Sequence, residues 1–132
     1  MKISKKEDYA VLLMSALAGT TTNEWVSLDA IATRYRLPLP FLQQIARDLK
    51  RVGLLKSREG VKGGYALARK STQISLSQIL EATGGKLKLT QCTTDERCPI
   101  EEHCTTREPW RKLHTVLYKT FASMSLDDLQ RV

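Results

Sequence analysis

The sequence predicts a mainly α fold carrying one small β-hairpin, and three observations predict it. Two short segments, residues 28–35 and 40–52, carry apolar residues at helical spacing and lie only a few residues apart. A glycine-rich hairpin pattern follows the second segment directly. Near the C-terminus, Trp110, Leu113, Leu117, Phe121 and Met124 recur at steps of three and four, with Val116 beside them, which predicts a longer helix. Two short helices joined by a tight connector and followed by a hairpin make a winged helix-turn-helix. The added stripe has the spacing of a helix–helix seam, so the long C-terminal helix is expected to be a dimerisation helix, with packing on its own domain as the alternative.

Each element has a local reason. Residues 8–18 place Val11, Leu12, Ser15 and Ala18 at helical spacing with Met14 and Leu17 alongside, and Gly19 and Thr20-Thr21-Thr22 close this first helix. Ser27 is an N-cap for residues 28–35, with Val26 placed to staple against Ile31. Arg36-Leu37-Pro38 is a tight connector. The next helix starts near Pro40, where a missing N–H does no harm, and ends at Val52 with Gly53 as its stop. Its inward stripe is Phe41, Leu42, Ile45, Leu49 and Val52. Residues 54–58 and 65–68 read as strands around the turn 59–64. Ser75 and Gln78 form a capping box for a helix to about Thr83 that buries Ile79 and Leu80, and Gly84-Gly85 breaks it. Residues 86–108 are polar and irregular. The long helix is expected from Pro109 to about Ala122, and Ser125 caps a last turn with Asp128 at its third position.

The charge is unevenly spread. The net charge of +7 lies entirely in residues 1–70, which hold 13 basic and 6 acidic residues, whereas residues 71–132 hold 8 of each. A basic head on a neutral body suggests a polyanion partner. On the helix 40–52 the apolar stripe turns Gln43, Gln44, Arg47, Lys50 and Arg51 outward. Gln43, Gln44 and Arg47 are the candidates for base contact, since Gln can bond two edges of adenine and Arg can bond guanine N7 and O6. Lys5, Lys6, Lys50 and Arg51 suit phosphates, which give affinity and register without sequence information. Arg58 and Lys62 flank the hairpin turn, placed to enter a minor groove. Asp48 fits no DNA role and is expected to pair with Arg51 three residues on.

The three cysteines, Cys92, Cys98 and Cys104, fall within thirteen residues of the neutral half. Their spacing, five residues between each pair, differs from the tight paired knuckles of zinc ribbons and suits a loop wrapping a larger object. Three thiolates leave one coordination position to another ligand, a condition met by an iron–sulfur cluster with an unlike fourth ligand. A zinc site or a thiol redox switch without iron is the alternative.

These residues resemble the iron–sulfur winged-helix regulators of the IscR, NsrR and RirA family, and within it the regulators of SUF-type cluster assembly. The resemblance covers nearly the whole chain, through ISKKEDYA, LPLPFLQQIARDLKRVGLL, SREGVKGGYALA, ISLSQILEATGG, and LTQC with its two further cysteines before a Trp-bearing helix. It implies a homodimer on double-stranded operator DNA, with a 2Fe–2S or 4Fe–4S cluster on Cys92, Cys98 and Cys104 of each subunit. Two positions depart from the pattern. IscR-like members carry a His ligand three residues after the third cysteine, where this chain has Arg107, which cannot ligate. NsrR-like members use an acidic residue near the N-terminus, and Asp8 matches it, making Asp8 the candidate fourth ligand; Glu101, Glu102 and His103 are further candidates in the loop. In the wing, Glu59 stands directly before the first glycine where the family usually has a basic residue, and Arg58 lies one earlier.

The expected organisation is a DNA-binding unit over 1–83, a cluster-binding loop over 84–108, and a dimerisation helix with a C-terminal turn over 109–132. The expected function is transcription regulation, as a repressor, with operator affinity set by the cluster and with genes of cluster assembly, iron homeostasis or nitric-oxide and redox stress as targets. A protein-docking scaffold that does not bind DNA is the rival from another class. No nucleophile–base pair or phosphate-binding loop points to an enzyme. No run of 18 apolar residues points to a membrane span, and the N-terminus lacks a signal-type segment, so a cytoplasmic protein is expected.

Overall fold

The computed structural model describes residues 2–20, 24–94 and 96–131. Eight regular elements run in order: α1 (Lys5–Ala18), α2 (Leu28–Tyr35), α3 (Leu39–Arg51), β1 (Leu55–Arg58), β2 (Gly64–Leu67), α4 (Leu76–Gly84), α5 (Arg107–Ser123) and α6 (Leu126–Gln130). Short 3-10 turns lie at Ser71–Gln73 and Gln91–Thr93. This is the mainly α winged helix-turn-helix expected from the pattern.

α1 begins three residues earlier than its apolar periodicity suggests. Ser4 accepts from the Glu7 amide while the Glu7 carboxylate accepts from the Ser4 backbone, a capping box that satisfies two N-terminal amides. Of its expected stop residues, Thr21 and Thr22 lie outside the described residues; Gly19 donates to Ser15 and Leu17 carbonyls. α2 has the expected bounds and its Ser27 cap. It ends at Arg36, whose φ of 55° turns the chain sharply into α3. α3 buries Leu42, Ile45, Ala46 and Leu49. The expected stripe is corrected at its end: Val52 is 49% exposed, because it lies past the last helical turn, and Ala46 takes a core position instead.

The wing is an antiparallel pair with Leu55 opposite Leu67 and Ser57 opposite Tyr65. One face, with Leu55, Tyr65 and Leu67, packs on the core; the other presents Lys56 and Arg58 to solvent. Val26 extends the sheet: its amide donates to the Tyr65 carbonyl at 3.0 Å and the Tyr65 amide returns the bond at 2.8 Å. That close backbone approach explains Gly64, where a Cβ would collide with the Val26 carbonyl and φ is +147°.

α4 has its Ser75–Gln78 capping box, and Ile79 and Leu80 are buried as expected. α5 starts at Arg107 rather than Pro109, because proline within the first turn removes an amide that has no intrahelical acceptor anyway. Its 17 residues include none that is buried. Leu117, Phe121 and Met124 are half-buried, while Trp110, Leu113, Val116 and Tyr118 are exposed. After α5 the chain returns to the head. The Leu76 amide donates to Met124 O at 2.8 Å and the Leu126 amide to Ile74 O at 2.7 Å. Leu126 is wholly buried, in one core with Leu13, Met14, Ile45, Leu49 and Ile79.

Candidate DNA interface and cysteine loop

The outer face of α3 follows from its inner one. With Leu42, Ile45, Ala46 and Leu49 turned into the core, helical geometry leaves Gln43, Gln44, Arg47, Lys50 and Arg51 exposed on one side. Arg47 makes no ion pair among the described residues, so its guanidinium is available to a base edge or phosphate. The cations at the rim are tied. Asp48, its side chain only 13% exposed, holds Lys6 Nζ at 2.8 Å and Arg51 at 3.4 Å. Lys50 Nζ lies 2.6 Å from Ser57 Oγ and so links α3 to β1. Lys5 is exposed at the start of α1, and Arg58 and Lys62 are exposed on either side of the wing turn. The structure therefore brings the sequence-derived DNA residues to α3, the wing and the start of α1.

On the solvent-facing side of the wing, Lys56 Nζ sits 5.4 Å above the Trp25 ring, and both line a cavity with Arg69 and Lys70. The sequence reading assigned these four residues no role. The clustering of Arg69 and Lys70 directly after the second strand was the available signal.

The cysteine loop runs from the end of α4 to the start of α5. All three thiols are free and half-buried. Cys92 lies in the turn Gln91–Thr93, its sulfur 3.0 Å from Thr90 Oγ1. Arg111, one turn into α5, donates its Nε to the Cys92 carbonyl at 3.3 Å. Cys98 lines a small surface cleft with Arg97, Pro99, Glu101 and Glu102. Cys104 stands before α5 with its sulfur 3.3 Å from Thr106 Oγ1. The Thr106 hydroxyl and amide, then the amide and guanidinium of Arg107, hold its thiol below the ordinary thiol range against opposing desolvation. His114 Nε2 is 3.0 Å from the Leu87 carbonyl, which fastens the loop's start to α5.

Among the described residues, no three His, Cys, Asp or Glu side chains stand together as a metal-holding group. The three thiols thus share one loop without being gathered, and Asp8 is exposed on the first turn of α1, apart from any such group. Arg107 is half-buried, and its Nε is enclosed without a hydrogen-bond partner among the described residues.

A row of amides and guanidiniums on the second helix of a helix-turn-helix, flanked by a cationic hairpin, defines a winged-helix DNA-binding protein. The chain belongs to the Rrf2 family: residues 3–131 match the family described as iron-dependent transcriptional regulator. The HTH-type transcriptional regulator IscR of Xenorhabdus nematophila is 30% identical over 129 residues, covering 98% of this chain and 79% of that one. Among solved structures, T. potens IscR superposes with a TM-score of 0.79 at 31% identity, covering 99% of this chain and 87% of that one. CymR, the global cysteine regulator of B. subtilis, gives 0.83 at 27% identity, covering 99% and 97%. The family and these relatives are transcriptional regulators, not enzymes. No helix among the described residues is long and apolar enough to cross a membrane.

Proposed function

We propose that this regulator binds operator DNA as a homodimer and that an iron–sulfur cluster on Cys92, Cys98 and Cys104 sets its affinity. Its targets in this reading are genes of cluster assembly, iron homeostasis or nitric-oxide and redox defence, held repressed. The observation that carries the reading is three free, half-buried thiols on the one segment joining the DNA-binding head to α5. The donor set fits such a group: soft thiolates are its usual ligands, Cys104 is biased toward thiolate, and the enclosed Nε of Arg107 is an unused donor for sulfur. Asp8 is the proposed fourth ligand, from the same subunit or its partner.

When bound, the cluster supplies a centre that iron shortage, oxygen or nitric oxide can dismantle or oxidise. The chain's own residues do the rest. The loop 84–108 carries the three sulfurs that would hold the cluster and, through Arg111 and His114, fixes where α5 leaves the head. Within residues 109–132 the long helix pairs two copies while the C-terminal turn sits in the head's own core, and this sets the spacing of the two α3 helices on successive turns of the duplex. Within the unit 1–83, Gln43, Gln44 and Arg47 read base edges. Lys5, Lys6, Lys50 and Arg51 hold phosphates, Lys6 exchanging Asp48 for one, and Arg58 and Lys62 follow the minor groove.

The test is an anaerobic preparation assayed for iron, sulfide and visible absorption, then titrated onto labelled operator DNA before and after iron removal. Wild-type protein is expected to change affinity at least roughly tenfold, a coupling of the usual size. Cys92→Ala, Cys98→Ala and Cys104→Ala proteins are expected to bind alike in both conditions. A wild-type protein indifferent to iron would overturn the reading. A thiol switch without iron is a second reading, favoured by the ungathered thiols and by the likeness to a cysteine regulator. It predicts iron-free protein whose DNA affinity responds to thiol oxidants alone.

A further inference from the structure

We infer that Arg107 and Arg111 form a cationic clamp on the cluster, setting its reduction potential without ligating it; the inference rests on the iron–sulfur reading above. The two arginines are four residues apart, so they share one face of α5, one turn from each other. That face meets the cysteine loop from both ends. Arg111 Nε holds the Cys92 carbonyl at 3.3 Å. Arg107 opens α5 three residues after Cys104. Neither arginine makes an ion pair among the described residues, and Arg107 Nε is enclosed with no partner. A buried guanidinium donor left without an acceptor costs free energy unless an acceptor arrives, and a sulfur-rich anion is such an acceptor.

The chemistry gives the arrangement a purpose. Arginine stays protonated and has no free lone pair, so neither residue is a ligand. A cluster held by three thiolates and a carboxylate is anionic, and each added electron makes it more so. Fixed positive charge and N–H donors beside its sulfurs favour the reduced form. Arg107 thereby supplies a charge beside the thiolates and no ligand. Arg107 and Arg111 are positioning residues in this scheme, acting on the potential and not on the DNA.

The test uses full-length protein purified without oxygen, as wild type, Arg107→Gln, Arg111→Gln, the double variant and Arg107→Lys. Iron and sulfide content, helix content and melting point are measured first, then the midpoint potential by spectroscopic titration. Iron content is expected to be the same in all. The reduction equilibrium is expected to shift toward the oxidised form by roughly tenfold per guanidinium removed, as for a unit charge a few ångström away under screening close to that of water, with Arg107→Lys retaining most of the wild-type value. A folded glutamine variant that loses iron overturns the clamp, because the arginine is then needed to retain the cluster and not only to set its potential. Loaded glutamine variants with the wild-type potential overturn it and leave the cluster reading intact. Wild-type protein without iron after reconstitution overturns both.

Discussion

Asp48 decides how much of the charge on the reading face is free. It holds Lys6 from α1 and Arg51 from its own helix, so two of the head's cations share one carboxylate before DNA arrives. Removing it is expected to raise general DNA affinity while making it more salt-sensitive: Asp48→Ala should steepen the slope of log affinity against log salt by about one to two, measured by anisotropy on unrelated duplexes. Arg47→Ala has the opposite character. It should lose about 1–3 kcal/mol on operator DNA and relax preference at one base position, readable by competition with single-base operator variants. At Cys104 the sign follows from the hydrogen bonds and cation that favour its thiolate. In metal-free protein its alkylation by iodoacetamide should rise at a lower pH than that of free cysteine, and Thr106→Ala should move the profile upward. The Asp48–Arg51 pair was legible from a three-residue spacing. Lys6, 42 positions away, was not, because only tertiary packing brings α1 against α3.

At the scale of elements, the parts fixed by local chemistry were legible and those fixed by contact were not. The boxes at Ser75–Gln78 and Ser125–Asp128 each satisfy amides within four residues, so a short window contains the whole interaction. Ser4–Glu7 carries the same signature, and reading only the apolar periodicity placed the start of α1 too late. The pairing of Val26 with Tyr65 joins segments 39 residues apart and leaves no local signature beyond a glycine at 64. That glycine yields a sharp comparison. Gly64→Ala must force a Cβ into the Val26 carbonyl at a left-handed φ, whereas Gly60→Ala, also at positive φ, meets nothing within 4 Å. Thermal unfolding should show Gly64→Ala destabilised by more than about 2 kcal/mol and Gly60→Ala by about 1 kcal/mol.

For the whole molecule, the exposed half of α5 is the largest departure from what a lone chain should present to water. Trp110, Leu113 and Val116 lie on a helix that buries no residue, and Val116 is 60% exposed. In the proposed homodimer these side chains form the seam. Leu113→Glu with Val116→Glu should give a monomer by light scattering, with an unchanged helical spectrum and operator affinity reduced roughly a hundredfold through lost bivalency. The stripe was legible as a seam from its period; which half of it the same chain covers was not, since α5 packs on α4, remote in sequence, and Leu117 and Phe121 are half-buried.

The return of the chain after Met124 has a mechanical outcome. The crossed bonds from Leu76 to Met124 and from Leu126 to Ile74, with Leu126 sunk in the core, bolt the far end of the helix to the head. The near end is tied to an irregular segment through Arg111 and His114. A rod pinned at one end and guided at the other swings and does not slide. In the proposed cluster-bound state, contraction of the sulfur-bearing segment would become an angle at the pivot, magnified along a lever of roughly 25 Å.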